Sequence, residues 1–69
     1  MRVISMESQF ERARTLTREG KLADAEALLR QLLKRSPREA VLLAELAQVL
    51  ARMGRREQAS FFAGQAGES

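Results

Sequence analysis

Two stretches of the chain, REGKLADA at residues 18–25 and RMGRREQA at residues 52–59, are variants of one pattern. They lie 34 residues apart in a chain of 69, so the pattern occurs once in each half. The matched pairs are Arg18 and Arg52, Gly20 and Gly54, and Ala25 and Ala59. A fixed offset of this size indicates that one supersecondary unit is used twice.

The apolar residues around both stretches recur at helical spacing, and no segment alternates as a strand would. The second helix, for example, has Leu22, Ala25 and Leu29 along one side, while Glu26 and Arg30 form an i,i+4 pair on the other. We therefore expect an all-α protein. The predicted helices cover residues 5–19, 22–35, 37–53 and 56–65.

Short signals at the ends of these segments set the predicted boundaries. Gly20 and Gly54 are expected to adopt positive φ and to end the first and third helices. Ser36, Pro37 and Glu39 have the order of a capping box, which predicts that the third helix begins at Pro37. The first helix has two candidate starts, at Ser5 or at a capping box formed by Ser8 and Glu11.

The third and fourth helices differ in their apolar content. The third has apolar residues on two sides, which is typical of a helix packed between neighbours. Those residues are Leu42, Leu43, Leu46, Ala47, Val49, Leu50 and Met53. The fourth contains Gly64 and Gly67, each of which lowers helix propensity by roughly 1 kcal/mol relative to alanine. We expect that helix to fray after Gln65.

The repeated spacing resembles the tetratricopeptide repeat family, whose period is 34 residues. The resemblance covers residues 6–69 and implies two tandem antiparallel helix pairs, a fragment of a right-handed α-solenoid, in one domain. Repeat 1 spans about residues 6–39 and repeat 2 about residues 40–69 of this domain. The positions that match the family's pattern are Ala13 and Ala47, Leu16 and Leu50, Gly20 and Gly54, Ala25 and Ala59, Leu29, and Pro37.

Some positions depart from the family's pattern, and they leave a second interpretation open. Gln9 and Leu43 stand where the family has an aromatic residue, and Ala63 stands where the first repeat has Leu29. The alternative is a plain four-helix bundle, acting as a subunit of a larger complex, whose halves match by chance. The second repeat is the weaker of the two matches.

The composition argues against enzymatic chemistry. The chain contains no cysteine and no histidine, so it lacks catalytic dyads and zinc ligands based on these residues. Glu7 and Glu11 lie one helical turn apart, but such a pair on a solvated helix is typical of solubilising charge. We predict that the protein is not an enzyme and has neither cofactor nor metal.

The net charge of +3 raises nucleic acid as an alternative partner. The basic residues are interleaved with acidic ones, however, which favours an ordinary solvated helical surface.

No apolar run approaches the length of a membrane span, and the first residues are too short for a secretory signal. We expect a cytoplasmic protein with no membrane partner, and the excess of arginine over lysine suggests a bacterial source.

The resemblance implies a binding groove on the first helices of the two repeats. It would combine an apolar floor with a basic rim and suit an amphipathic helix or an extended acidic peptide of a protein partner. The predicted groove consists of Phe10, Arg14, Thr17, Arg18, Val41, Ala44, Gln48, Ala51 and Arg52, with Glu7 and Glu45 at neighbouring positions. A second interpretation places Phe10 in the core instead.

We also expect self-association. Two repeats are fewer than the roughly three that repeat proteins usually need for stability. Phe61 and Phe62 are adjacent, so a helix cannot direct both into its own core, and Val3 and Ile4 add apolar side chains at the other end. These four residues are the predicted interface of a homodimer, formed by completing a longer stack or by exchanging terminal helices.

Overall fold

The computed structural model describes residues 6–68. These residues form four helices and no strand, which confirms the predicted all-α class. In chain order the helices are α1 (Met6–Arg18), α2 (Leu22–Arg35), α3 (Ala40–Arg52) and α4 (Arg56–Glu68).

The helices pack as two hairpins, α1 with α2 and α3 with α4, joined through contacts of α3 with both α2 and α1. Alanines lie inside each hairpin: Ala13 and Ala25 are fully buried in the first, and Ala59 is buried in the second. Because these side chains are small, the paired helices can approach each other closely. Ala25 and Ala59, which the repeated sequence pattern aligns, therefore have the same place in their hairpins.

Helix α3 is the centre of the core, as its apolar circumference predicts. Its buried residues are Leu42, Leu43, Leu46, Ala47, Val49 and Leu50. Leu46, Val49 and Leu50 have no exposed surface and belong to one cluster with Leu29 and Leu32 of α2. Complete burial of a leucine or valine contributes roughly 1.5–3 kcal/mol, so this cluster accounts for much of the attraction between the hairpins.

Both hairpin turns use glycine in the left-handed region, which confirms the prediction for Gly20 and Gly54. Each has a φ of 85°. The Gly20 amide donates to the Thr17 carbonyl at 3.1 Å and the Lys21 amide to the Leu16 carbonyl at 2.9 Å, the pair of bonds that defines a Schellman motif. The same two bonds recur after α3, from Gly54 to Ala51 and from Arg55 to Leu50.

The predicted start of α3 at Pro37 is wrong. Ser36 follows α2 and donates its amide to the Leu32 carbonyl, and the Glu39 amide donates to the Ser36 carbonyl at 3.2 Å. Residues 36–39 thus form a turn before α3 begins at Ala40, and the Glu39 side chain makes no capping bond. Serine followed by proline is also the signature of a β-turn, which here prevails over the capping box.

Two other predicted boundaries also need correction. Ser8 lies inside α1, so the Ser8–Glu11 capping box does not start this helix, while the alternative start, Ser5, lies outside the described residues. Helix α4 continues to Glu68 instead of ending after Gln65. Ala66 is half-buried near that end, and such tertiary contact can offset the low helix propensity of Gly64 and Gly67.

Replacing Gly20 with alanine tests the left-handed turn. No heavy atom lies within 4 Å of the added Cβ, so the expected loss of about 1 kcal/mol in unfolding free energy comes from backbone strain alone. Gly64→Ala is the matched control, because the same methyl group enters open space on a regular helix and should stabilise by up to about 1 kcal/mol. Urea denaturation measures the unfolding free energy of both variants. A change of the same sign in both would contradict the turn geometry.

Candidate functional site

Helices α1 and α3 lie side by side and run in the same direction. At their C-terminal ends, Arg52 Nη1 donates to the carbonyl of Thr17 at 3.2 Å. At their N-terminal ends, Glu7 and Phe10 of α1 line one pocket together with Val41 of α3. The outward sides of the two helices therefore form one continuous surface. This α1/α3 face consists of Glu7, Phe10, Arg14, Arg18, Val41, Ala44, Gln48, Ala51 and Arg52.

Most of the residues predicted to line a groove are accessible on this face. Arg14 and Arg18 of α1 are exposed, and Phe10 is half-buried. On α3 the exposed positions are Val41, Ala44, Gln48, Ala51 and Arg52, while Glu45 is half-buried. The structure thus brings most of the predicted groove residues of the two repeats to one surface.

Thr17 is the exception among the predicted groove residues, because its side chain is only 6% exposed. Its hydroxyl donates to the carbonyl of Ala13 at 3.0 Å within α1. Its own carbonyl accepts the bond from Arg52. A side chain held inside the helix pair cannot contact a partner, so Thr17 contributes to the structure and not to the surface.

Phe10 combines the two roles that the sequence left open. Its ring packs partly against the buried cluster and also lines the pocket at the N-terminal end of the face. The guanidinium of Arg14 lies 5.9 Å from the ring centroid, within range of a cation–π interaction. Phe10 therefore forms a fixed, partly accessible floor.

The pocket beside Phe10 has a volume of about 490 Å³ and is open to solvent. Phe10, Val41 and Leu42 form its apolar part, and Val41 is 52% exposed. Its polar lining comes from Glu7, Ser36 and Glu39. The sequence predicted only a basic rim and assigned Glu39 to a helix cap, so the acidic border of this pocket was missed.

The opposite end of the face is basic. Arg18 and Arg52 occupy the last turns of α1 and α3, where positive charge also complements the helix dipoles. Arg18 makes a hydrogen bond of 3.4 Å to Thr15 of its own helix, whereas Arg52 reaches across to α1. This end matches the predicted basic rim.

The predicted dimer residues in α4 divide between surface and core. Phe61 is 59% exposed. Phe62 packs partly against the buried cluster, with the Arg30 guanidinium 5.6 Å from its ring centroid. The two rings make an edge-to-face contact with centroids 5.2 Å apart. Val3 and Ile4 lie outside the described residues.

The outer side of α1 is polar where the equivalent side of α3 is buried. Ser8, Arg12, Thr15 and Glu19 are all exposed. At an offset of 34 residues they correspond to Leu42, Leu46 and Val49, which α3 buries, and to Met53, which packs partly against the core. Among the described residues, the outer side of α1 therefore lacks the apolar surface that another repeat would need for stacking.

The nucleic-acid alternative would need a continuous patch of arginines, and the arginines do not all share the α1/α3 face. The candidates for such a patch are Arg2, Arg12, Arg14, Arg18, Arg52, Arg55 and Arg56. Arg55 lies 3.5 Å from the Glu26 carboxylate, which also pairs with Arg30 at 2.9 Å. Arg12 lines a different pocket, with Leu28 of α2, and Arg2 lies outside the described residues.

Within residues 6–68 no group of three or more acidic side chains is placed to hold a metal ion. Across the same range, none of the helices has the length and apolar character needed to cross a bilayer.

Arg52 and Arg18 occupy equivalent positions in the two repeats, which provides a matched test of the interhelical bond. Arg52→Ala removes a hydrogen bond between α3 and α1 and should lower the unfolding free energy by about 0.5–1.5 kcal/mol. Arg18→Ala removes only a long contact within α1 and should change it by less than about 0.5 kcal/mol. Thermal or urea unfolding compares the two variants, and equal losses would contradict the assigned role of Arg52.

Comparison with known proteins gives one family. No curated protein sequence and no solved structure matches the chain significantly. The sequence model of the tetratricopeptide repeat family matches residues 16–69, a span that begins near the end of α1 and includes α2, α3 and both glycine turns. Since the match covers well over half of the chain, the protein belongs to the tetratricopeptide repeat family.

Proposed function

We propose that the protein is a non-enzymatic interaction module whose α1/α3 face binds a helix or an extended segment of another protein. Tetratricopeptide repeats generally mediate protein–protein interactions. The two helices of this face are held together by the Arg52–Thr17 bond at one end and by the packing of Phe10 against the buried cluster that includes Leu42 and Leu46 of α3. A preformed surface of this kind binds without a large ordering penalty.

The exposure of Val41 is the observation that supports this proposal most strongly. Val41 is more than half exposed, although the neighbouring Leu42 and Leu43 are almost completely buried. It borders the pocket with Phe10, whose volume of about 490 Å³ can accept a leucine or aromatic side chain. Ala44 and Ala51 continue the accessible apolar strip along α3. Burial of this strip by a partner would contribute to affinity roughly in proportion to its area.

The arginines determine the chemistry of the partner at the other end of the face. Arg14, Arg18 and Arg52 present guanidinium groups, which bind carboxylates through paired N–H donors. The proposed partner therefore carries acidic side chains beside apolar ones. An amphipathic helix or an extended peptide satisfies both requirements.

We also propose that two copies associate through the outer side of α4. Phe61 is the large apolar residue that α4 leaves mostly exposed. The polar outer side of α1 disfavours head-to-tail stacking of copies, since Arg12 and Glu19 would have to be buried there. A symmetric contact of one α4 with another avoids that cost and pairs the same surface on both copies.

A pull-down with a charge-reversed face tests the binding proposal. The Arg14→Glu, Arg52→Glu double variant should lose partners that the wild-type protein retains, because reversed charge repels acidic side chains. The matched control is Arg12→Glu with Arg56→Glu, which changes the net charge equally but lies off the face. Circular dichroism verifies that each variant is folded.

Binding of the same partners by both double variants would place the site elsewhere. The pull-down is repeated at two salt concentrations, because phosphate contacts make binding to nucleic acid fall steeply with salt. A steep fall together with loss of binding after nuclease treatment would support the nucleic-acid alternative instead.

Light scattering tests the proposed dimer. The wild-type protein should have twice the monomer mass of 7.7 kDa at high concentration. Phe61→Ser, with Phe62 unchanged, should shift the equilibrium to the monomer because it removes the exposed ring from the contact. A folded wild-type monomer at high concentration would contradict self-association.

A further inference from the structure

The α1/α3 face changes the sign of its charge from one end to the other. Along α1, Glu7 of the face lies in the first turn, with the exposed Glu11 one turn further along, whereas Arg14 and Arg18 of the face occupy the second half of the helix. Helices α1 and α3 are parallel and adjacent. Their N-terminal ends therefore lie together at one end of the face, and their C-terminal ends lie together at the other. Glu39 precedes α3 at the acidic end, and Arg52 ends α3 at the basic end.

These charges are not neutralised by ion pairs within residues 6–68. The ion pairs of that range join Glu19 to Lys21 and Glu26 to Arg30 and Arg55, and none of them includes a charged group of the face. Arg38 is in the turn before α3 but does not line the pocket with Glu39. Glu45 is half-buried midway along α3. The face therefore presents the carboxylates of Glu7 and Glu39 to a partner at the pocket and the guanidinium groups of Arg18 and Arg52 at the helix C-termini.

We propose that the α1/α3 face selects a helix of opposite polarity, with acidic side chains in its N-terminal half and basic side chains in its C-terminal half. The bound helix runs antiparallel to α1 and α3, which places its acidic half over Arg14, Arg18 and Arg52. This inference rests on the proposed function and deepens it, because it replaces a uniformly acidic partner with a bipolar one.

The orientation follows from two electrostatic effects that agree. A helix is itself stabilised by acidic residues near its N-terminus and basic residues near its C-terminus. Placed antiparallel, such a helix brings its acidic end to the arginines and its basic end to Glu7 and Glu39. The macrodipole of the bound helix then also points in the opposite direction to those of α1 and α3, which is the favourable arrangement. A parallel helix would need the reverse charge order, which weakens the helix itself.

The distances along the face define the spacing of the partner's residues. Glu7 and Arg18 are eleven positions apart, which corresponds to about 16 Å at 1.5 Å per residue. The acidic and basic groups of the partner should thus be about three helical turns apart. Phe10 and Val41 border the pocket near the acidic end of the face. A leucine or aromatic residue that fills the pocket therefore lies within about one turn of the partner's basic group.

Selection from a displayed peptide library tests the charge order. The library consists of helical peptides of about five turns, with randomised positions along one side. Peptides enriched on the wild-type protein should be acidic in the first half and basic in the second, with a large apolar residue near the basic group. Enriched peptides that are acidic throughout, or basic in the first half, would overturn the proposed polarity.

A pair of charge-reversing variants tests the orientation with the best enriched peptide. Glu7→Lys should weaken its binding by about threefold to tenfold, because it replaces one attraction with one repulsion. Glu57→Lys is the matched control, since Glu57 occupies the first turn of α4 just as Glu7 occupies the first turn of α1. Glu57→Lys should leave the affinity unchanged, and equal effects of the two variants would contradict the proposal.

The outcomes separate this inference from the proposed function. Peptides of uniform charge that lose binding in the Arg14→Glu, Arg52→Glu variant would support the binding face and contradict its bipolar selectivity. Peptides that bind independently of every face variant would contradict both. Failure to enrich any peptide on the folded protein would likewise count against both.

Discussion

The structure depends on one helix that has too much apolar surface to pack against a single neighbour. Helix α3 buries leucine or valine on two sides, and its contacts extend to all three other helices. Each hairpin brings its two helices together at buried alanines, and leucines of α2 and α3 join the two hairpins in one cluster. The contact of α3 with both α2 and α4 thus makes one core of the two repeats, as repeat architectures require. What remains exposed on α3 is a narrow strip, and that strip forms part of the α1/α3 face.

The two repeats share a backbone pattern but use equivalent positions for different purposes. Arg12 and Leu46 are equivalent, yet Arg12 is exposed and Leu46 is fully buried, because α3 has a neighbour on that side and α1 has none among the described residues. Phe10 and Ala44 are also equivalent but differ in size, so the α1/α3 face has an aromatic floor only beside Phe10. The identical parts of the repeat build the scaffold, and the differences between the repeats determine what each surface can bind.

The sequence predicted the elements because the signals for them are local, and it failed where the outcome depends on neighbours. Gly20 and Gly54 specify left-handed turns that few other residues tolerate, and they fix both hairpins. Ser36, Pro37 and Glu39 fit a capping box and a β-turn equally well, so this stretch alone does not decide where α3 begins, and in the structure the turn forms. Thr17 was expected on the surface, like its equivalent Ala51, but it is buried, and its carbonyl accepts a hydrogen bond from Arg52 of α3. Likewise, the acidic border of the pocket combines Glu7 of α1 with Glu39 of the turn before α3, and no single stretch of sequence shows that they lie together.

The most direct measurement is a methyl NMR titration of the labelled protein with a partner recovered in the pull-down. Val41, Ala44 and Ala51 report on the exposed strip of α3, while Ala23 and Ala27 are exposed on α2 and serve as references. Binding at the α1/α3 face predicts that the methyl resonances of Val41, Ala44 and Ala51 shift and that those of Ala23 and Ala27 stay in place. Shifts confined to Ala23 and Ala27 would contradict the account.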